Sequence, residues 1–147
     1  MGYTSRIAVG VDFSDTAARA MNEARVLAER LGALLEIVHV REDRSGKPWD
    51  PDDAAVAWME SQGVGAADLT TRGGTPWLEL ARYTWAPGAE LLVVGTHGRS
   101  GAQSMALGST ASRLVLASPR PVVLVGNGNA GGRSTRVRDS RSRTRPA

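Results

Sequence analysis

Leu91-Leu92-Val93-Val94-Gly95, running on through Thr96-His97-Gly98-Arg99-Ser100-Gly101 to Gly108-Ser109-Thr110, is the stretch on which the fold of this chain turns. A short apolar run of this kind reads as a strand buried on both faces, as parallel strands are. Gly108 to Ala117 reads as a helix stopped by Pro119. At the strand end, Gly95 lets backbone approach a bulky anion, and Gly98 permits a positive φ so that successive N–H groups point inward. Gly108, Ser109 and Thr110 fall at the helix N-terminus, where free N–H groups, the positive end of the dipole and two hydroxyls suit phosphate oxygens. A glycine-rich loop after a strand is often only a turn. Spacing, hydroxyls and position before a helix favour a cradle for a di- or triphosphate. No lysine stands in the Gly-Lys-Ser/Thr position of a Walker loop, and the pattern is not G-x-G-x-x-G.

Outward from this stretch the chain alternates between strand and helix signals. Arg6 to Asp12 is a first apolar run. Ser14 is placed to cap a helix with Asp15 in its first turn, Ala17, Met21, Ala24, Ala28 and Leu31 recur at helical spacing, and Gly32 suits a left-handed C-terminal residue. Leu35 to Val40 is a second strand, so the first two form a right-handed βαβ unit. Arg41 to Pro51 is a polar loop. Asp52 to Gln62 is expected to form a short helix burying Val56 and Met59, and Ala67 to Thr71 a strand of thin apolar signal. Thr75 and Pro76 open another helix, with Leu78, Leu80 and Ala81 inside. Val122 to Val125 is the last strand. Five strands alternating with helices predict one α/β domain, an open parallel sheet covered on both faces in Rossmann-like fashion, with its ligand beyond the carboxyl ends of the strands.

A chain of 147 residues suits one domain. With 41% hydrophobic and 22% charged residues it is ordinary for a globular protein. Having no cysteine, it has no disulfides, no thiolate catalysis and no Cys-ligated metal. Neither a signal-peptide pattern at Met1 to Arg6 nor an apolar run of membrane-spanning length is seen, so a cytoplasmic location is expected. The formal charge of +3 misleads, because six arginines from Arg133 to Arg145 face only Asp139. The rest of the chain, with 12 basic and 14 acidic side chains, is mildly acidic. Residues 127–147 hold almost nothing apolar and are expected to be a disordered basic tail beside a domain of residues 1–126.

The spacing Gly95-x2-Gly98-x9-Gly108-Ser109 resembles the nucleotide loop of the universal stress protein family. Val9-Gly10-Val11-Asp12 with Ser14 resembles that family's first strand and turn, Gly74-x-Pro76 the turn before its third helix, and Pro121 to Val125 its last strand. The resemblance implies strand order 3-2-1-4-5, with the switch point where Asp12 and Gly95 meet. It implies an ATP site drawn from Val11, Asp12, Val40, Gly95, Gly98, Arg99, Gly108, Ser109 and Thr110. In it Asp12 contacts the nucleoside or orders a metal-bound water, the backbone of Val40 reads the adenine edge, and the glycines and hydroxyls hold phosphates accompanied by Mg²⁺. It also implies a homodimer through Val122 to Val125, whose apolar edge needs covering. The stretch from Val40 to Ala67 is shorter than in most of the family, which bears on the adenine-side wall.

The remaining residues with chemical potential read more plainly. Asp12 serves equally as a helix cap beside Ser14 and as a ligand. His39 reads as a packed residue. His97 lies in the loop without a carboxylate or nucleophile next to it in sequence, so no general base is indicated. Arg99 either neutralises phosphate or is solvated. The four tryptophans Trp49, Trp58, Trp77 and Trp85 read as packing residues. These signals favour an ATP-binding regulatory module over a slow ATPase or adenylyl-transfer enzyme, since the Ser-Gly-Gly turn of such transferases is here Asp12-Phe13-Ser14. They also favour it over a dimeric scaffold holding nucleic acid on its arginine tail, where no aromatics alternate with the arginines.

Overall fold

The computed structural model describes residues 4–98 and 107–126. Arg99 and the arginine tail lie outside these described residues. The elements in order are β1 (Arg6–Gly10), α1 (Asp15–Leu31), β2 (Leu34–Arg41), α2 (Asp53–Gln62), a 3₁₀ turn (Ala66–Asp68), β3 (Leu69–Gly73), α3 (Pro76–Thr84), β4 (Ala89–Gly95), α4 (Ser109–Ala117) and β5 (Val122–Val125). All pairings are parallel and the strand order is β3-β2-β1-β4-β5, as the resemblance implies.

Strand alternation divides the core into two layers. Ile7, Val9, Ile37, Leu69 and Val93 face one side of the sheet and meet Ala17, Ala20, Met21, Ala24 and Ala28 of α1 with Trp58 and Met59 of α2. Ala8, Val38, Leu92 and Val94 face the other side and meet Leu80, Ala81 and Tyr83 of α3 with Leu114 of α4. Small alanines along α1 let it lie close to the central strands. Its ends are closed as the sequence suggests: Ser14 Oγ accepts from the Ala17 N–H, and Gly32 is left-handed with φ 60°.

Four expectations are corrected. In α2 the buried positions are Ala55, Trp58 and Met59, while Val56 is exposed. Trp58, rather than Val56, turns inward because its indole N–H donates to Ser14 O at 2.9 Å, which satisfies the polar end of a buried ring. β3 begins at Leu69 instead of Ala67, since the Asp68 carboxylate accepts from the Gly65 N–H and winds Ala66–Asp68 into the 3₁₀ turn. Leu31, the last residue of α1, and Leu78 in the first turn of α3 are exposed rather than packed. Trp85 does not pack: its side chain is 71% exposed just beyond α3. Among the described residues no helix is long and apolar enough to cross a membrane.

Candidate functional site

Two turns at the carboxyl ends of neighbouring strands define the site. After β1 the chain passes through Asp12, Phe13 and Ser14 into α1. Asp12 Oδ1 accepts from the Ser14 N–H at 3.1 Å and from the Ser14 hydroxyl at 2.5 Å, so one carboxylate braces the cap. Phe13 takes a left-handed φ of 64°, a conformation side chains rarely adopt. It is held there by rings on three sides: His39 at a centroid distance of 4.5 Å, Trp58 edge-on at 5.4 Å, and Trp49 stacked at 5.9 Å. His39 is a packed residue, as read from sequence, its Nδ1 lying 2.9 Å from Val11 O.

After β4 the chain passes through Gly95, Thr96 and His97 to Gly98. Thr96 N–H donates to Val125 O at 3.0 Å, and Thr96 O accepts from the Gly108 N–H at 2.7 Å, which ties both ends of the intervening segment together. Thr96 Oγ1 and His97 Nδ1 lie 3.0 Å apart. Gly108 is the N-cap of α4, placing Ser109 and Thr110 in its first turn. Because the Gly108 N–H is engaged, the groups this helix end presents are the N–H groups of Ser109, Thr110 and Ala111, which have no intrahelical acceptor, and the Ser109 and Thr110 hydroxyls.

Between these turns lies a cavity of about 390 Å³. Of the residues expected in the site, Asp12, Val40, Gly95, Gly98, Gly108, Ser109 and Thr110 line it. Arg99 falls outside the described residues. Val11 does not line it: its side chain is buried in the core and its N–H donates to Val38 O at 2.9 Å. Thr96, His97, Pro76, Leu80 and Glu42 also line the cavity. Pro76 and Leu80 do so because α3 starts beside it, and nothing local in sequence signals this. Glu42 is missed by the sequence pattern; its one local signal is an acidic side chain two positions beyond Val40.

The glycines are required here for space rather than for backbone freedom. Gly98 lies outside the left-handed region, contrary to the positive φ expected from sequence. A Cβ at Gly98 would come 2.8 Å from Asp12 Oδ2, one at Gly95 would come 2.6 Å from Thr16 Cγ2, and one at Gly108 would come 3.1 Å from Thr96 O. At Gly95 the space freed is filled by the protein's own Thr16, not left open toward the cavity.

Residues 4–126 match the model of the universal stress protein family. The Thermus aquaticus universal stress protein in QAH/OAS sulfhydrylase 3'region is 30% identical over 132 residues, covering 81% of this chain and 96% of that protein. Among solved structures, universal stress protein UspA from Lactobacillus plantarum is 26% identical with a TM-score of 0.60, covering 85% of this chain and 99% of its own. A universal stress protein crystallised in complex with cAMP is 27% identical with a TM-score of 0.58, covering 84% and 98%. Fold, strand order and family match agree: this chain belongs to the universal stress protein family.

Proposed function

We propose that the chain is an adenine-nucleotide-binding module whose bound state, ATP with Mg²⁺, serves a regulatory role. The observation that carries the reading is that one continuous cavity joins the N-terminus of α4 to the carboxyl ends of β1, β2 and β4. One end offers main-chain N–H groups and two hydroxyls for phosphate. The other offers the carboxyl end of β2 at Val40 for a flat base. At about 390 Å³ the cavity falls in the range of small-ligand sites. The cAMP complex of a relative 27% identical supports an adenine nucleotide as the class.

Mg²⁺ fits as a companion of the phosphates rather than as a resident of the protein. Among the described residues no three His, Cys, Asp or Glu side chains are grouped to hold a metal. Asp12, braced by Ser14 through Oδ1, has Oδ2 toward Gly98 and is suited to order a metal-bound water. The cation would offset the repulsion between phosphate and the Asp12 and Glu42 carboxylates that line the cavity.

A homodimer in the cytoplasm completes the reading. β5 is a sheet edge made wholly of Val122, Val123, Leu124 and Val125, and Val115 and Leu116 of the adjacent α4 are exposed, Leu116 to 89%. Pairing two copies along this edge would cover it. Sedimentation is expected to give a dimer at micromolar concentration; a monomer would remove this part. For the nucleotide itself, purification under native conditions and mass identification of the bound species is expected to yield an adenine nucleotide. Absence of binding in calorimetric titrations of ATP with Mg²⁺ would overturn the reading.

A further inference from the structure

We propose that Glu42 is the residue through which this pocket recognises the ribose hydroxyls of its ligand, so that the pocket selects ribonucleotides over 2′-deoxyribonucleotides and rejects nucleotides carrying a phosphate monoester on the 2′ or 3′ oxygen. The proposal rests on the nucleotide reading above and names the specificity of the same site.

β2 is the immediate neighbour of β1 and ends at Arg41, so Glu42 is the first residue past the strand. It lines the cavity together with Val40, two residues earlier. Gly10 stands opposite Val38, which sets Val40 about level with Asp12 and leaves Glu42 roughly 6 to 7 Å further out along the strand direction. From β2 to β4 the sheet is crossed over β1, a lateral step of about 10 Å. A 5′-nucleotide with its phosphate at α4 and its base beside Val40 must carry its sugar over the end of β1, within reach of a side chain standing above Val40.

The chemistry of Glu42 decides what it receives there. An ionised carboxylate only accepts hydrogen bonds and repels phosphate. Among the described residues it has no hydrogen-bond or ion-pair partner. It is therefore an open acceptor at the end of the cavity remote from the phosphate-suited helix. The vicinal hydroxyls of ribose supply the matching donors, and a phosphate monoester on either oxygen replaces a donor by a doubly charged group facing the carboxylate. Doubly wound sheets elsewhere use an acidic side chain at the end of the strand beside the first for a ribose 2′-hydroxyl.

The test is calorimetric titration of the full chain, wild type, Glu42→Ala and Glu42→Gln, with ATP, 2′-deoxy-ATP, AMP and adenosine 3′,5′-bisphosphate. Glu42 is exposed and lies beyond the strand, so folding is expected to be unaffected. The wild type is expected to bind ATP about tenfold more tightly than 2′-deoxy-ATP. Glu42→Ala should bring that ratio close to one by weakening ATP alone, and should admit the bisphosphate. Glu42→Gln, which keeps an acceptor but loses the charge, should retain part of the ratio and also admit the bisphosphate. Intact ATP binding with the same ribose-to-deoxyribose ratio in wild type and Glu42→Ala overturns the assignment while sparing the nucleotide reading. A loss in Glu42→Ala that falls equally on both sugars overturns it as well. Failure of the wild type to bind ATP or AMP brings down the nucleotide reading and the assignment together.

Discussion

Gly98 faces the Asp12 carboxylate so closely that a Cβ at position 98 would stand 2.8 Å from Asp12 Oδ2. The two residues are 86 positions apart in sequence and belong to turns after adjacent strands, β1 and β4. Asp12 cannot retreat freely, because its other oxygen is held by the Ser14 N–H and hydroxyl. Substituting Gly98→Ala is therefore expected to push the carboxylate across the cavity floor. ATP affinity should fall by about tenfold or more, while unfolding free energy changes by less than about 1 kcal/mol, since the contact lies at the cavity and not in the core. Titration and urea unfolding of the same sample check both halves; unchanged affinity removes the Gly98–Asp12 contact from the binding argument.

Gly95 makes the opposite prediction. Its missing Cβ leaves room for Thr16, buried in the first turn of α1, with Cγ2 2.6 Å from the position a Cβ would occupy. A β-branched side chain on a packed helix has little freedom to yield. Gly95→Ala should cost about 1 to 3 kcal/mol of stability through overpacking. Thr16→Ser deletes the offending methyl, so the double variant Thr16→Ser/Gly95→Ala should recover much of that loss. Additive destabilisation in denaturant titrations would show that the strain lies elsewhere.

The sheet and the α4 end of the site were legible for physical reasons that particular residues display. Leu91 to Gly95 and Val122 to Val125 are apolar on both faces because helices cover both sides, and such runs do not depend on distant partners to be recognised. Ser14 and Gly32 announce helix ends through local hydrogen bonding. What was illegible depends on tertiary choice. Val56 and Trp58 compete for the inward side of α2, and the winner is decided by Ser14 O, 44 positions away, accepting from the indole. The resemblance includes Val11 in the site, while its side chain packs into the α1 layer. Sequence alone assigns Gly98 to backbone freedom, whereas the approach of Asp12 decides its role.

Phe13 offers a prediction in which the usual order of substitutions inverts. A non-glycine residue at φ 64° bears about 1 to 3 kcal/mol of strain, here offset by the rings of His39, Trp49 and Trp58 around it. Phe13→Ala keeps the strain and discards the ring, and should cost about 2 to 4 kcal/mol. Phe13→Gly discards both and should be less damaging than alanine by about 1 kcal/mol. Since Trp49 stacks on this ring, both variants should shift tryptophan emission. Glycine proving worse than alanine would mean that the backbone at position 13 relaxes once the ring is gone.

Tyr83 tests the opposite end of the sheet. Its ring packs in the α3 layer, and its hydroxyl is buried with no hydrogen-bond partner among the described residues. Burial pushes its ionisation above the ordinary tyrosine value, while the Arg72 guanidinium, 4.6 Å over the ring face, pulls the other way. The native state then holds this proton at pH values where the unfolded chain has begun to release it. No contribution to pH dependence arises well below pH about 10, and stability falls as pH rises from there toward the higher native value. Tyr83→Phe removes both the orphaned hydroxyl and the titration. At neutral pH it should be neutral or stabilising by up to about 1 kcal/mol, because an unpaired buried hydroxyl costs more than it returns. Between neutral pH and pH about 10.5 the variant should lose less stability than the wild type, as urea unfolding at the two values would reveal. A clear loss at neutral pH would mean that a bound water already satisfies the hydroxyl, and the alkaline difference would shrink with it.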